Sequence, residues 1–126
     1  MTLLDEVRRC YEALNRGDPY PFLDLYDPEI ELFVPKWVQP DGGLLVGSDA
    51  VNRWFANYFA GWAQQRWDVA DAIENGPSVA FVAEWSGRGK RSGVGLTGRF
   101  LSVMSFQEGR IVSIVLLGGI SEAAAP

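Results

Sequence analysis

The chain has 126 residues, of which 48% are hydrophobic and 21% charged, and its formal net charge is −5 at neutral pH. This is the composition of a globular protein, and the acidic balance argues against nucleic acid or an anionic membrane as the main partner. The sequence contains no histidine, which excludes Ser-His-Asp and Cys-His nucleophiles and histidine-ligated zinc. Acid–base chemistry would therefore need Asp, Glu, Tyr, Lys, Cys or bound water.

The length fits one domain, and we interpret residues 1–126 as a single folding unit. Cys10 is the one cysteine, so no internal disulfide can form, which favours a reducing compartment. The sequence contains no run of about 18 apolar residues and so predicts no transmembrane helix. Acidic residues interrupt the amino-terminal segment MTLLDEVRR, which does not read as a signal peptide. We expect a cytoplasmic protein.

Two helices are predicted at the start of the chain. In the first, apolar residues recur at helical spacing over 3–14, Thr2 with Asp5 resembles a capping box, and Gly17 suits the helix end. The dipeptide Asp18-Pro19 predicts the start of a short second helix, because a capping residue followed by proline is common there. Asp27-Pro28 predicts its end.

The third predicted helix has the clearest periodicity in the chain. Ser48 is its expected cap, and its apolar residues fall at i, i+3, i+4, i+7, i+8 and i+11. These residues are Val51, Trp54, Phe55, Tyr58, Phe59 and Trp62.

The remaining segments predict strands. One strand lies over 29–34, before a loop rich in proline and glycine (PKWVQPDGG), and four more cover 67–73, 78–86, 94–107 and 110–117. Helices that are separate from an antiparallel sheet indicate the α+β class. Gly93, Gly95 and Gly98 indicate bends in one strand. A bent sheet crossed by an amphipathic helix would enclose a concave, apolar cup.

This order of elements resembles the SnoaL-like proteins of the NTF2-like superfamily, which include polyketide cyclases and are similar to ketosteroid isomerase. Three segments carry the resemblance: YEALNRGDPYPFLDLYDPEIEL, GSDAVNRWFANY and LTGRFLSVMSFQEGRIVSI. It implies a cone in which three amino-terminal helices pack on a strongly curved, mostly antiparallel sheet. It also implies a site for a small apolar molecule inside the cup, a homodimer formed through the outer sheet face, and no cofactor or metal.

The catalytic residues of the related enzymes are largely replaced in this sequence. Matching the motifs residue by residue places the isomerase base on Val34, its first-helix Tyr on Cys10 and its oxyanion Asp on Ser102. A supporting Tyr falls on Phe55, and another is kept as Tyr26. Polyketide cyclases also place an Asp at the Ser102 position, and their partner His has no counterpart. The Asp-Arg-Asp arrangement of the limonene epoxide hydrolases is not matched either.

Three residues remain as candidates for catalysis. Glu84 is flanked by apolar neighbours, so burial in the cup would raise its pKa and make it a general acid or base. If Glu84 faces outward it is a solvated sheet residue, and alternation does not decide between the two because bulges shift it. Tyr26 and Ser102 are candidates to hydrogen-bond a ligand oxygen, or else to pack in the core. Their ligand-binding neighbours are expected to be Cys10, Val34, Trp54, Phe55, Phe81, Trp85, Met104 and Ile114.

These features favour a SnoaL-like enzyme of the cyclase, isomerase or dehydratase type, acting on a polyketide-, terpene- or steroid-like substrate. The alternative is a module of the same fold that binds a small ligand without turnover, or that serves in dimeric assembly. An enzyme needs a titratable group inside the cup, a binding protein needs an open cup without one, and an assembly module would have a small or filled cup.

Overall fold

The computed structural model describes residues 2–18, 20–36 and 43–123, with side chains up to residue 117. The described elements are two α-helices, one short 3-10 turn and six strands. In chain order they are α1 (Leu3–Asn15), the 3-10 turn (Leu23–Leu25), β1 (Tyr26–Val34), β2 (Gly43–Val46), α2 (Ser48–Ala60), β3 (Trp62–Asn75), β4 (Ser78–Gly89), β5 (Gly95–Gln107) and β6 (Arg110–Ala123).

The six strands form one curved, mixed sheet in the order β2-β1-β6-β5-β4-β3. Paired strands run antiparallel, except that β1 and β6 are parallel. Helix α1 packs chiefly on β3, and α2 packs chiefly on β1. The predicted α+β class and the mostly antiparallel, curved sheet are therefore confirmed.

Helix α1 forms as its sequence predicts. The Thr2 hydroxyl accepts a hydrogen bond from the Asp5 backbone N–H at 3.1 Å, and the Asp5 carboxylate accepts one from the Thr2 N–H at 3.0 Å. This capping box satisfies backbone donors that the first turn leaves free. The apolar stripe of α1 is fully packed against the sheet, since its buried residues belong to the main core. They are Val7, Cys10, Tyr11 and Leu14.

The predicted second helix is wrong, so the described chain has two helices before the long strands instead of three. Only Leu23–Leu25 is helical there, as a single 3-10 turn, and Tyr26 already belongs to β1. Pro21 explains the difference, because proline removes a backbone donor and disfavours the helical conformation of the preceding residue. The Asp18 carboxylate instead accepts a hydrogen bond from the Tyr20 N–H at 2.9 Å.

Other elements also differ from the prediction. Strand β2 was not predicted, and the predicted loop before it lies mostly in residues 37–42, outside the described residues, as does Trp37. Trp62 begins β3 instead of ending the helix. The residue that precedes α2 is Gly47, and no side chain caps this helix, so Ser48 is its first residue rather than its cap.

The two faces of the sheet differ in polarity because strand side chains alternate between them. The face toward the helices carries the buried apolar residues of the core, whereas the opposite, outer face carries charged and exposed side chains. Register shifts interrupt β3 at two points and the pairing of β5 with β6 at two others. Such bulges bend a sheet and redirect side chains, so the curvature that encloses the core follows from them.

Candidate functional site

A pocket lies between the helices and the concave face of the sheet, and we call it the inner pocket. Helix α1 supplies Tyr11, helix α2 supplies an aromatic wall, and the strands supply the rest. Its lining residues are Tyr11, Phe22, Tyr26, Trp54, Phe55, Tyr58, Phe59, Trp67, Phe100, Ser102, Met104, Ile114 and Leu116. None of these lining side chains in the described part of the chain is a carboxylate or a cation.

The inner pocket is nearly filled by its own aromatic rings. Its free volume is about 30 Å³, whereas one water molecule needs roughly 10–15 Å³ on this measure. The rings form a continuous contact: Tyr58 meets Trp67 at 6.4 Å and Phe100 at 6.2 Å between ring centroids, and Trp67 stacks on Phe100 at 5.9 Å. A ligand larger than two waters therefore requires one wall of the pocket to move.

The aromatic wall on α2 is less buried than the strand wall. Trp54, Phe55 and Tyr58 are half-buried, and only Val51 and Phe59 of this helix are fully buried. Neighbouring rings along the helix stack on one another, with centroid distances of 5.6 Å for Trp54–Tyr58 and 5.8 Å for Phe55–Phe59. The α2 wall is therefore the part of the pocket lining that is least anchored in the buried core.

Three buried residues that line the inner pocket carry hydroxyl groups. Tyr11, Tyr26 and Ser102 are 8%, 5% and 2% exposed. Within the described residues, no hydrogen bond involves any of the three hydroxyls. None of the three oxygens is among the fully buried side-chain atoms that lack a partner, so each keeps some accessible surface from which it can donate a hydrogen bond. The arrangement therefore favours an occupant that carries hydrogen-bond acceptors.

The phenols of the pocket can donate a proton in a hydrogen bond but cannot serve as bases near neutral pH. Burial raises the pKa of Tyr11 and of Tyr26 well above the ordinary value for a phenol. Burial likewise raises the pKa of Tyr58 to about 12 and that of the Cys10 thiol to about 11. All four groups therefore stay protonated at physiological pH, so the pocket offers donors instead of a nucleophile or a general base.

Trp85 contributes a further donor without an acceptor. Its indole Nε1 is buried and has no hydrogen-bond partner among the described residues. The ring lies over Gly87, since a Cβ at that position would come within 2.9 Å of Cζ2 of the indole. The absence of a side chain at Gly87 therefore leaves room for the Trp85 ring, which meets the Trp62 ring edge-to-face with 4.7 Å between the centroids.

The structure brings six of the eleven predicted site residues together in the inner pocket. They are Tyr26, Ser102, Trp54, Phe55, Met104 and Ile114. Four others are buried in the surrounding core without lining the free space: Cys10, Val34, Phe81 and Trp85.

Glu84 lies apart from the other ten. Its side chain is 52% exposed on the outer face of β4, where the nearest charged group is Arg99 of β5 at 3.8 Å. Ala83 and Trp85 on either side of it are buried, so the strand alternation turns Glu84 away from the pocket. Of the two orientations considered from the sequence, the structure has the outward one.

The outer face near Glu84 holds a wider cavity, of about 550 Å³, lined by charged and polar side chains of three strands. Arg66 pairs there with Asp68 at 3.1 Å, and Arg99 with Glu84 at 3.8 Å. All four side chains are more than half exposed, and exposed ion pairs are weak. The size of this outer cavity alone does not make it the functional site, because water reaches all four of these charged side chains.

Sequence reasoning missed several pocket residues, of which Tyr11 is the most informative. Tyr11 follows Val7 at i+4 and precedes Leu14 at i+3 on the buried stripe of α1, so helical periodicity could have identified it. The family comparison pointed to Cys10, one residue earlier.

Among the described residues, no group of three or more His, Cys, Asp or Glu could hold a metal ion. No described helix is both long and apolar enough to cross a membrane.

Solved structures that are similar to this chain share its fold at low sequence identity. An NTF2-like protein of unknown function from Burkholderia pseudomallei is 24% identical over 90% of this chain and 88% of its own, with a TM-score of 0.76. IdmH from Streptomyces antibioticus, a candidate polyketide cyclase, is 21% identical over 94% and 91%, with a TM-score of 0.76. TerC, crystallised with polyporic acid, is 16% identical over 90% and 88%, with a TM-score of 0.75.

These likenesses show an NTF2-like α+β fold. No curated protein matches the chain by sequence. A sequence profile of the SnoaL-like domain, however, matches residues 7–114, which include most of α1, all of α2 and most of the sheet. This chain therefore belongs to the SnoaL-like family.

Proposed function

We propose that this protein binds a small, flat and largely apolar molecule in the inner pocket, and that the molecule carries at least one carbonyl-type acceptor. The observation that supports this most directly is that three residues of the pocket lining, Tyr11, Tyr26 and Ser102, carry hydroxyl groups with no hydrogen-bond partner among the described residues. Apolar pockets with a few convergent polar groups are the usual form of small-molecule sites. A neutral ligand fits best, because no charged side chain lines the described pocket.

The second candidate function is turnover of such a molecule by a cyclase, isomerase or dehydratase type of reaction, on a polyketide-, terpene- or steroid-like substrate. The same hydroxyls favour it, since donors aimed at a carbonyl oxygen stabilise the negative charge that develops there when a neighbouring C–H bond ionises. Tyr26 and Ser102 would hold the oxygen. The proton would have to leave to water or to another group of the substrate, because Glu84 on the outer face gives no support for a carboxylate base.

A matched pair of ligands tests the binding proposal. Fluorenone and fluorene have the same flat skeleton and differ by one carbonyl oxygen, and either would quench the tryptophans that line the pocket. We expect fluorenone to bind about tenfold more tightly, since one or two new hydrogen bonds contribute roughly 0.5–1.5 kcal/mol each. The triple variant Tyr11→Phe, Tyr26→Phe, Ser102→Ala should remove this preference and leave fluorene binding unchanged.

The controls separate the alternatives. Glu84→Gln should change neither affinity nor any turnover by more than about twofold, because an exposed carboxylate remote from the ligand contributes little. Equal binding of the two ligands to the wild type would mean that the hydroxyls do not recognise the carbonyl. If neither ligand binds, the inner pocket is only a part of the hydrophobic core, and the result favours the alternative that the protein is a dimeric assembly module.

We also propose that the outer face pairs with a second copy of the chain. A row of directly paired residues crosses all six strands on that face and is apolar throughout. The row is Leu44, Phe33, Val115, Val103, Ala80 and Ile73. Beside it, Arg66, Asp68, Glu84 and Arg99 supply both signs of charge in equal number. Such a surface is compatible with its own copy, whereas a patch of one sign would repel it.

Light scattering after size-exclusion chromatography tests the pairing. We expect a dimer for the wild type and a folded monomer for Val103→Glu, because a charge in the middle of an apolar interface is left without a partner. Val94→Glu is the matched control, since Val94 is exposed but lies outside this row. A wild type that stays monomeric at high concentration would contradict the proposal.

The cytoplasmic location and the single-domain organisation remain predictions.

A further inference from the structure

Gln65 occupies an irregular point of β3, directly below the end of helix α2. Ala63 pairs with Arg88 and Arg66 pairs with Ser86, so Gln64 and Gln65 together oppose the single residue Gly87. Gln64 has a φ of 54°, in the left-handed region. This is a β-bulge, and bulges redirect the side chains that follow them.

The Gln65 amide joins two walls of the inner pocket. Its Nε2 donates to the carbonyl oxygen of Phe59, in the last turn of α2, at 3.2 Å. Its Oε1 accepts from the indole Nε1 of Trp67 at 3.2 Å. The orientation of the amide is fixed, because an indole N–H only donates and a carbonyl only accepts. Phe59 and Trp67 both line the pocket, and their rings meet at 5.8 Å.

We propose that Gln65 is a positioning residue that holds the inner pocket closed. The free space of about 30 Å³ admits no tricyclic molecule, so binding requires the α2 wall or the Trp67 ring to move. Movement of the α2 end lengthens the bond from Gln65 to Phe59, and movement of the indole lengthens the bond to Trp67. Closed and open states then differ by one or both of the hydrogen bonds that the Gln65 side chain makes. The ligand part of this inference rests on the proposed function.

The backbone of Trp67 is held independently of Gln65. The Asn15 side chain, at the end of α1, accepts from the Trp67 N–H at 2.8 Å and donates to the Trp67 carbonyl at 2.6 Å. Removing the Gln65 amide therefore leaves strand β3 attached to α1. It frees only the indole ring and the carboxyl end of α2, which is why its loss should open the pocket instead of disordering the sheet.

Gln65→Met tests the inference, because methionine keeps the length of the side chain and removes both hydrogen bonds. Hydrogen exchange followed by mass spectrometry should show about tenfold faster exchange in α2 (Ser48–Ala60) and unchanged exchange in α1, as expected for the loss of two bonds of ordinary strength. Stopped-flow quenching by fluorenone should show association about tenfold faster, with affinity unchanged or higher. Gln64→Met is the matched control in the same bulge and should match the wild type in both measurements.

Several results would overturn the inference. Equal acceleration of hydrogen exchange in both helices would assign Gln65 a general role in stability. Unchanged exchange in α2 would mean that the two hydrogen bonds of Gln65 do not hold this helix in place. If Gln65→Met does not fold, Gln65→Glu supplies the same test, since its carboxylate accepts from Trp67 but cannot donate to Phe59. Failure of fluorenone to bind the wild type would count against the proposed function alone, because the exchange comparison still decides whether Gln65 closes the pocket.

Discussion

The two helices have the same length of 13 residues but are attached to the protein in opposite ways. Helix α1 begins with a capping box, buries four residues in the main core and ends at Asn15, which is hydrogen-bonded to β3. Helix α2 has no side-chain cap, buries two residues and carries three half-buried aromatic residues over the pocket. Helix α1 therefore belongs to the scaffold, and α2 is the wall that can move with the least loss of packing.

This difference bears on how the family fold can bind a ligand without an open cup. A rigid α1 holds the Tyr11 hydroxyl in place, while the aromatic rings of α2 fill the space that a ligand would take. Regions with few buried apolar contacts are the ones that open locally. We therefore expect ligand binding to displace α2 rings and to leave α1 unchanged.

The largest expected effect comes from truncating one apolar side chain of each helix to alanine. Leu14→Ala in α1 removes a side chain that is 6% exposed and should lower the free energy of unfolding by about 3 kcal/mol, in the range measured for such cavities. Phe55→Ala in α2 removes a larger but half-buried side chain, and we expect a loss of about 1–2 kcal/mol. Urea denaturation measures both.

Ligand affinity should distinguish the same two variants in a different way from stability. Phe55→Ala enlarges the pocket, since Phe55 lines it, and should bind fluorenone at least as tightly as the wild type. Leu14 does not line the inner pocket, so Leu14→Ala gains no space for the ligand. If Phe55→Ala proved the more destabilising of the two, α2 would be part of the scaffold, and the distinction between the helices would be lost.

The sequence predicted both helices better than the contacts between elements. The capping box of α1 and the apolar periodicity of both helices depend on neighbours within one or two turns, so local patterns were sufficient. The orientation of Glu84 depends on strand register, and the role of Gln65 depends on a bulge that places it beside Phe59 of another element. Neither is encoded in local periodicity. The short second helix does not form beyond the 3-10 turn at Leu23–Leu25, because Pro21 lacks a backbone donor and disfavours the helical conformation of the residue before it.

Alkaline pH should separate the helices by the groups they bury. Burial raises the pKa of Cys10 in α1 from 9.0 to about 11 and that of Tyr58 in α2 from 10.0 to about 12. Between these limits the unfolded chain loses protons that the folded chain keeps, so stability is fully present below pH 9 and falls as pH rises. Cys10 alone should account for about 2–3 kcal/mol by pH 11, at 1.36 kcal/mol for each pKa unit.

Urea denaturation at pH 8, 9.5 and 11 measures this dependence. Cys10→Ala should lower stability at pH 8 through lost packing, but its stability should stay constant up to about pH 10, where tyrosines begin to ionise in the unfolded chain. The wild type should already decline between pH 9 and 10. The same decline in both proteins would show that Cys10 is not the group responsible.

The smallest effect concerns the first turns of the two helices. Thr2→Ala removes the hydroxyl that accepts from the Asp5 N–H at 3.1 Å, and loss of such a cap costs about 1 kcal/mol. Thr2→Ser keeps the acceptor and should stay within a few tenths of the wild type. Ser48→Ala is the matched change in α2, where no side chain caps the helix, and it should alter stability by less than about 0.5 kcal/mol. A larger loss from Ser48→Ala than from Thr2→Ala, measured by urea denaturation, would mean that α2 is held at its start as firmly as α1. The mobility expected of the aromatic wall would then have to reside in its side chains and not in the helix.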